Sequence, residues 1–478
     1  MNTDSLQFLG FATVAACLYN LFHSVWWRQG TLLLANLFFL ATFAPGVRAC
    51  LPLAGFLLLG FLGIQAAQRS NRGTFIAFLI AVIAAFVWLK KYAFLPADSF
   101  LRFSYLTIGL SYILFRVLHV MIDARARNLS TRIGPLSYLN YTLSFMTLVS
   151  GPIQRYEDFA ATQLAPVRPR LGIFSVGEGL HRIAVGFFKV AVLSWLLSIL
   201  QKQALASLPS SRLWGPQALT GAVIAASYPL YLYFNFSGYT DIVIGIGRSL
   251  GFSLPENFNR PFSAGSMIDL WNRWHITLSG WLKEYVFNPL LLASMRRFSL
   301  PAWEPFLAVP PLFITFFLIG VWHGQTSEFL FFGFLQGASV SVNHLYRVFL
   351  MNQLGYQRYT ALCSSPLYVT VSRGFTFTWF TFTLLWFWSN WKQLSTMLNV
   401  LRAPVILTAF VAIFLAATAI LSALEAIRNL ASSLSWNHGP LLLSRYSLTV
   451  IDTALTVVSL VITVLLNAPA PDIVYKAF

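Results

Sequence analysis

Charge is scarce in this chain: 10% of its 478 residues are charged, and 15 acidic residues face 32 Lys and Arg. Soluble domains keep about a quarter of their residues charged, so so poor a supply excludes an ordinary water-soluble fold. Cysteine is scarcer still. Cys17, Cys50 and Cys363 show no metal-ligand spacing and sit in or beside apolar segments, where cysteine behaves as a small hydrophobe, so neither a disulfide framework nor a metal centre is expected. Phosphate-cradling loops, a GxSxG elbow and CxxC pairs are missing, which removes nucleotide hydrolysis, serine-hydrolase and dithiol chemistry from consideration. No ten-residue inside/outside alternation recurs, so a membrane barrel is excluded as well.

What is present is hydrophobic. Apolar residues make up 57% of the chain and aromatic residues 16%, and the mean hydropathy is +0.68. Such a composition defines an all-α polytopic membrane protein. Apolar windows recur from 6–22 to 447–467, several too short or interrupted to span cleanly, and they predict about 11–13 crossings of the hydrocarbon core. The run from Leu6 to Phe22 lacks the basic leader of a cleaved signal and reads as a retained first helix. Without a linker of disorder-like composition or an internal repeat, residues 1–478 are expected to form one membrane domain. The net charge of +17 is dispersed among short loops such as 68–73, 124–132 and 295–298. That dispersal fits anionic lipid headgroups and cytoplasmic loops, not nucleic acid.

Between Phe234 and Leu300 the apolar pattern breaks up around Pro, Gly, Asn and charged residues, which predicts re-entrant or interfacial structure lining a cavity. On a helical wheel over 271–285, Trp271, Trp274, His275, Leu278, Trp281, Leu282 and Tyr285 share one side. A single interfacial helix with His275 turned inward is the expectation. His323 ends the uncharged run from Phe306 to Trp322, between Gly320 and Gly324. A histidine in such surroundings is either a proton carrier facing a hydrated passage or a core residue bonded to one carbonyl. The other five, His23, His119, His181, His344 and His438, lie toward helix ends or loops and read as solvated or structural. FNFSGYTD at 234–241 and PENFNRPF at 255–262 concentrate polar groups that either line a substrate path or satisfy irregular backbone. SGPIQRYEDF at 150–159 reads first as a tight turn with a solvated charge cluster.

These pieces, SGPIQRYEDF, NFSGYTDIVIGIGRSLGF, PENFNRPF, LWNRWHITLSGWLKEYVFNPL and GVWHG, occur in an order that resembles the membrane-bound O-acyltransferase superfamily. Within it the chain looks like the bacterial branch that holds the alginate O-acetyltransferase membrane subunit and the teichoic-acid D-alanyl-transfer membrane protein. The likeness covers roughly residues 100–350. It implies a helical bundle around a central tunnel, with His323 as the catalytic residue and His275 as the second signature residue. It further implies that Asn235, Ser237, Asp241, Glu256, Asn257, Asn259 and Arg273 line the tunnel or touch substrate, with Trp271, Trp274 and Trp322 packed around the histidines. By the same resemblance the donor is a cytoplasmic thioester, acetyl-CoA or an acyl carrier protein thioester, and no bound cofactor or metal is needed. The acceptor is a hydroxyl of a secreted or cell-surface polysaccharide, reached directly or through an extracytoplasmic acyltransferase or export proteins, from the bacterial inner membrane. D-alanyl transfer is the alternative chemistry. A transporter or flippase of the cell envelope, and a non-catalytic scaffold, are the alternatives of another class.

Overall fold

The computed structural model describes residues 1–465 apart from 2, 4, 70, 93, 127, 128, 130–132, 167–170, 211, 212, 299–303 and 435–444. His438 lies outside the described residues. In chain order the α-helices are α1 (Leu6–Leu21), α2 (Val25–Ala41), α3 (Val47–Arg69), α4 (Arg72–Leu89), α5 (Leu110–Ala126), α6 (Pro135–Thr142), α7 (Tyr156–Gln163), α8 (Ile173–Phe188), α9 (Trp195–Ser207) and α10 (Trp214–Ser249). They continue with α11 (Met267–Arg273), α12 (Ile276–Leu282), α13 (Asn288–Arg297), α14 (Glu304–Leu307), α15 (Val309–His323), α16 (Ser327–Ser364), α17 (Pro366–Thr383), α18 (Leu385–Trp388), α19 (Trp391–Val400), α20 (Ala403–Leu434) and α21 (Arg445–Leu460). Among the described residues the extended backbone pairs only at one isolated bridge, Phe258 with Trp274.

Among the described residues, five stretches are long and apolar enough to cross a bilayer: Val47–Arg69, Arg72–Leu89, Ile173–Ser207, Pro305–His323 and Ala403–Leu430. Two shorter apolar helices, Leu6–Leu21 and Thr449–Val464, accompany them. The 17-residue α2 and α5 stand at the short end of what spans a hydrocarbon core of about 30 Å. This is a multi-pass membrane protein, as its composition requires.

Two compact units divide the described residues: Met1–Val190 with Phe236–Glu256, and Ala191–Asn235 with 257–465. In the first, α5 is buried along almost its whole length and carries Arg116, His119 and Asp123 inward. Arg116 donates to the carbonyls of Tyr141 (3.1 Å), Thr142 (2.8 Å) and Thr147 (2.7 Å), which satisfies a buried guanidinium and a non-helical turn together. His119 bonds Asp123 through Nδ1 at 3.2 Å and accepts the Tyr156 N–H at Nε2, 3.1 Å away. Both ring nitrogens are thereby engaged. The ring is buried in mid-helix, where the sequence suggests a helix end or loop. The 150–159 segment it holds is likewise largely interior: Ser150, Gln154 and Tyr156 are buried, and only its charged end emerges, because the chain there is tied to α5 and to the Tyr141 hydroxyl. Residues 150–154 are thus buried where a solvated turn is expected, while the charged residues Arg155, Glu157 and Asp158 are partly or fully exposed, as expected.

A second correction concerns FNFSGYTD. It lies within the unbroken 36-residue α10, and the irregular backbone starts only after Ser249. Close packing explains why a glycine-rich stretch stays helical. A Cβ on Gly238 would come within 2.7 Å of the Gly186 carbonyl, and one on Gly186 within 2.6 Å of the Gly238 carbonyl, so α8 and the second part of α10 meet backbone to backbone.

In the second unit, Ala222 and Ala225 of α10, Phe377 of α17 and Ala409, Ile413 and Ala417 of α20 form a packed core. Helices α15 and α16 make a tight hairpin across Gly320 and Gly333. A Cβ at Gly320 would stand 2.3 Å from the Phe329 carbonyl and 2.5 Å from Gly333 Cα. His323, one turn beyond Gly320, is placed by that contact.

Candidate active site

Within the second unit, residues 257–262 and the WNRWH segment run antiparallel for a few residues. The Asn259 N–H donates to the Arg273 carbonyl and the Ile276 N–H to the Asn257 carbonyl, both at 2.9 Å, flanking the Phe258–Trp274 bridge. This pairing breaks the expected single helix in two. Residues Trp274 and His275 lie between α11 and α12, and His275 takes a left-handed conformation with φ of 47°. A non-glycine residue held there is strained, and such strain gathers at functional sites. The inward set survives by other means than a wheel: Trp271, Trp274, His275, Leu278, Trp281 and Leu282 are all buried, while Tyr285 is half-buried in a π-helical turn.

Asn257 organises the histidine. Its Oδ1 accepts from the Thr277 N–H (3.3 Å) and the Thr277 hydroxyl (2.6 Å), which identifies that atom as the amide oxygen. His275 Nδ1 lies 3.3 Å from the same oxygen and therefore carries the hydrogen. Its Nε2 then holds the lone pair of a neutral ring. Burial pushes the His275 imidazole down to about 3, so it stays neutral throughout the physiological range.

His323 ends α15 beside an indole that also borders His275. Trp322 stands 6.1 Å from the His275 ring and 4.7 Å from the His323 ring, so one side chain touches both histidines. Phe387 meets the His323 ring edge-on at 4.8 Å, and Phe332 lies at 6.2 Å. The two histidines are 1% and 3% exposed, which keeps bulk water from competing for their protons. Trp274 packs against Phe258 and Phe380 at 5.2 and 5.3 Å. The Trp271 indole donates to Gln336 Oε1 at 3.3 Å, and Gln336 in turn donates to the Thr383 hydroxyl at 2.9 Å. That buried chain ties α11, α16 and α17 together.

The remaining expected residues divide. Asn235 is fully buried on the first part of α10. Asn259 is exposed, and Arg273 pairs with Asp269 one turn earlier at 2.7 Å. In the first unit Asp241 receives Arg182 Nε at 2.8 Å and Lys189 Nζ at 2.6 Å, while Arg182 also grips both oxygens of Glu256. Asp241 and Glu256 are thus members of an ion cluster, and Ser237 sits buried on the same helix. Sequence reasoning missed Arg182, Lys189, Gln336, Thr277 and Phe387. For the two cations a signal existed, because they interrupt the apolar Ile173–Ser207 stretch seven residues apart. For Phe387 none existed in a chain with 44 phenylalanines. Among the described residues no group of three or more His, Cys, Asp or Glu could hold a metal ion.

A neutral imidazole held in one tautomer, enclosed with a second histidine inside a helical membrane protein, makes a site suited to moving a proton away from water. The chain belongs to the membrane-bound O-acyltransferase family, whose model matches residues 74–387. That match reaches Phe387, past the region where the sequence alone shows motifs. A teichoic acid D-alanyltransferase of Bacillus subtilis is 28% identical over 288 residues, 58% of this chain and 69% of that protein. A probable alginate O-acetylase of Pseudomonas fluorescens is 30% identical over 237 residues, covering 50% of this chain and 44% of the relative. A peptidoglycan O-acetyltransferase of Helicobacter pylori is 30% identical over 211 residues, 44% of this chain and 38% of the relative. The chain thus spans less than half the length of these last two.

Proposed function

We propose that the protein transfers an acyl group, acetyl in the first instance, from a cytoplasmic thioester such as acetyl-CoA to a hydroxyl of a secreted or cell-surface polysaccharide. The donor and acceptor enter a tunnel through the bundle from opposite sides of the bacterial inner membrane, and they meet at His323. There the imidazole accepts the hydroxyl proton as the oxygen attacks the thioester carbonyl, and returns it to the leaving thiolate. His275, fixed in one tautomer by Asn257, shapes the site and positions the donor, with Trp271, Trp274 and Trp322 packing around it. Asn235, Ser237, Asp241, Glu256, Asn259 and Arg273 are proposed as polar groups along the substrate path. An extracytoplasmic acyltransferase or polysaccharide-export protein passes the group on, and anionic lipids hold the basic loops. Residues 1–478 act as one membrane-embedded catalytic domain.

The observation that carries this reading is the placement of two buried histidines against one indole, Trp322, in a chain of this family. Acetyl is preferred because relatives named for O-acetylation reach 30% identity. D-alanyl transfer is the second reading, favoured by the longer match to the teichoic acid enzyme. Purified protein in proteoliposomes, given radiolabelled acetyl-CoA and alginate or peptidoglycan fragments, should yield ester-linked label. Label appearing only from a D-alanyl carrier thioester would select the second reading, and label crossing the vesicle unesterified would point to transport.

A further inference from the structure

The His323 ring has little space around it. Trp322, Phe387 and Phe332 approach it at 4.7, 4.8 and 6.2 Å, and they are 7, 6 and 2% exposed. Phe387 also meets Phe332 at 5.2 Å and Phe329 at 5.5 Å, so its ring is the hub of the enclosure. The chain places it there by ending α17 at Thr383 and turning into the four-residue α18, which packs on α16. Little give is available nearby, since a Cβ on Gly324 would already lie 2.0 Å from the Phe329 ring.

Chemistry fixes what must fit beside that ring. A hydroxyl whose proton goes to His323 lies within about 3 Å of a ring nitrogen, and the thioester carbon lies a further 3–3.5 Å away or less. As the new C–O bond forms and the C–S bond breaks, the first carbons of the acyl tail therefore stand next to the enclosure wall. Interiors are close-packed, so a phenyl ring at contact distance leaves no room for a long chain.

We propose that Phe387 is a specificity-determining residue that closes the acyl site beside His323 and confines the donor to short acyl groups. The proposal rests on the reading of His323 as the acyl-transfer base, and it holds equally for acetyl and for a small aminoacyl group. Trp322 also borders His275, so altering it would disturb both histidines; Phe387 comes from a separate element.

The test uses the full chain in proteoliposomes with acetyl-, butyryl- and hexanoyl-CoA and an alginate oligosaccharide, alongside thermal shifts with the corresponding non-reactive acyl-CoA thioethers. One methylene in a tight pocket is worth about 10- to 200-fold in kcat/KM, so the native protein should favour acetyl over hexanoyl by at least about 100-fold. Phe387→Ala, or the better-tolerated Phe387→Leu, should shrink that ratio at least about tenfold and let the hexanoyl thioether raise the melting temperature. Native protein that takes hexanoyl as readily as acetyl overturns the proposal and leaves acyl transfer standing. So does an unchanged ratio in Phe387→Leu that still turns over acetyl-CoA. If the native protein transfers neither group, nor D-alanyl from a carrier-protein thioester, and no thioether shifts its melting, the acyl-transfer reading fails and the proposal falls with it.

Discussion

Single residues decide the chemistry through their surroundings. Asn257 is the clearest case, because one amide oxygen sets the tautomer of His275 and caps the start of α12 through Thr277. The buried ring also makes a pH prediction. Its folded pKa of about 3 is depressed below the unfolded value of about 6.5, so the unfolded state binds the extra proton first. The stability linked to His275 is therefore fully present above about pH 6.5 and is lost as pH falls toward 3, at up to about 1.4 kcal/mol per unit. Unfolding midpoints in detergent at pH 7.5 and 4.5 should drop less for His275→Asn than for the native chain; equal drops would show that this ring is not the buried neutral group described. Histidines were legible in the sequence because an imidazole in an apolar run is conspicuous. Asn257 as their organiser was visible only as one of several polar residues, since nothing in the chain order says that residue 257 meets residue 275.

At the scale of elements, close backbone approach is the recurring device. The Gly320–Gly333 contact sets α15 against α16, and with it the position of His323. Gly320→Ala should cost about 1–3 kcal/mol by overpacking, and a displacement near 1 Å at the histidine would lower kcat by up to about 100-fold. Circular dichroism melting together with acyl transfer checks both, and a variant with native values of each would mean that the hairpin tolerates the added methyl. Helices α8 and α10 use the same device around the Arg182–Asp241–Lys189 cluster. Asp241→Asn leaves two cations facing a neutral amide and should lower the melting temperature, whereas Arg182→Met with Asp241→Leu should recover part of the loss. No recovery in the double variant would assign Asp241 a role beyond the clasp. Sequence periodicity failed at these places for a physical reason. The wheel over 271–285 assumes continuous helix, and the bridge between Phe258 and Trp274 interrupts it with a left-handed His275. Conversely, Gly238 and Gly245 looked like breakers but serve contact with α8.

For the whole molecule, composition alone established the membrane class, and the order of five weak motifs pointed to the family that the match over residues 74–387 then showed. The substrate was not legible, because acetyl and D-alanyl donors differ by an amino group and one methyl, which no motif here is dedicated to reading. The proposed chemistry centres on His323, enclosed by Trp322, Phe332 and Phe387 at the end of α15. Its most direct test is the turnover number for acetyl transfer from acetyl-CoA in proteoliposomes holding native or His323→Ala protein at equal, folded amounts. General-base loss predicts a fall of about 10²- to 10⁴-fold with an unchanged melting temperature. Turnover by His323→Ala within twofold of native would contradict the account.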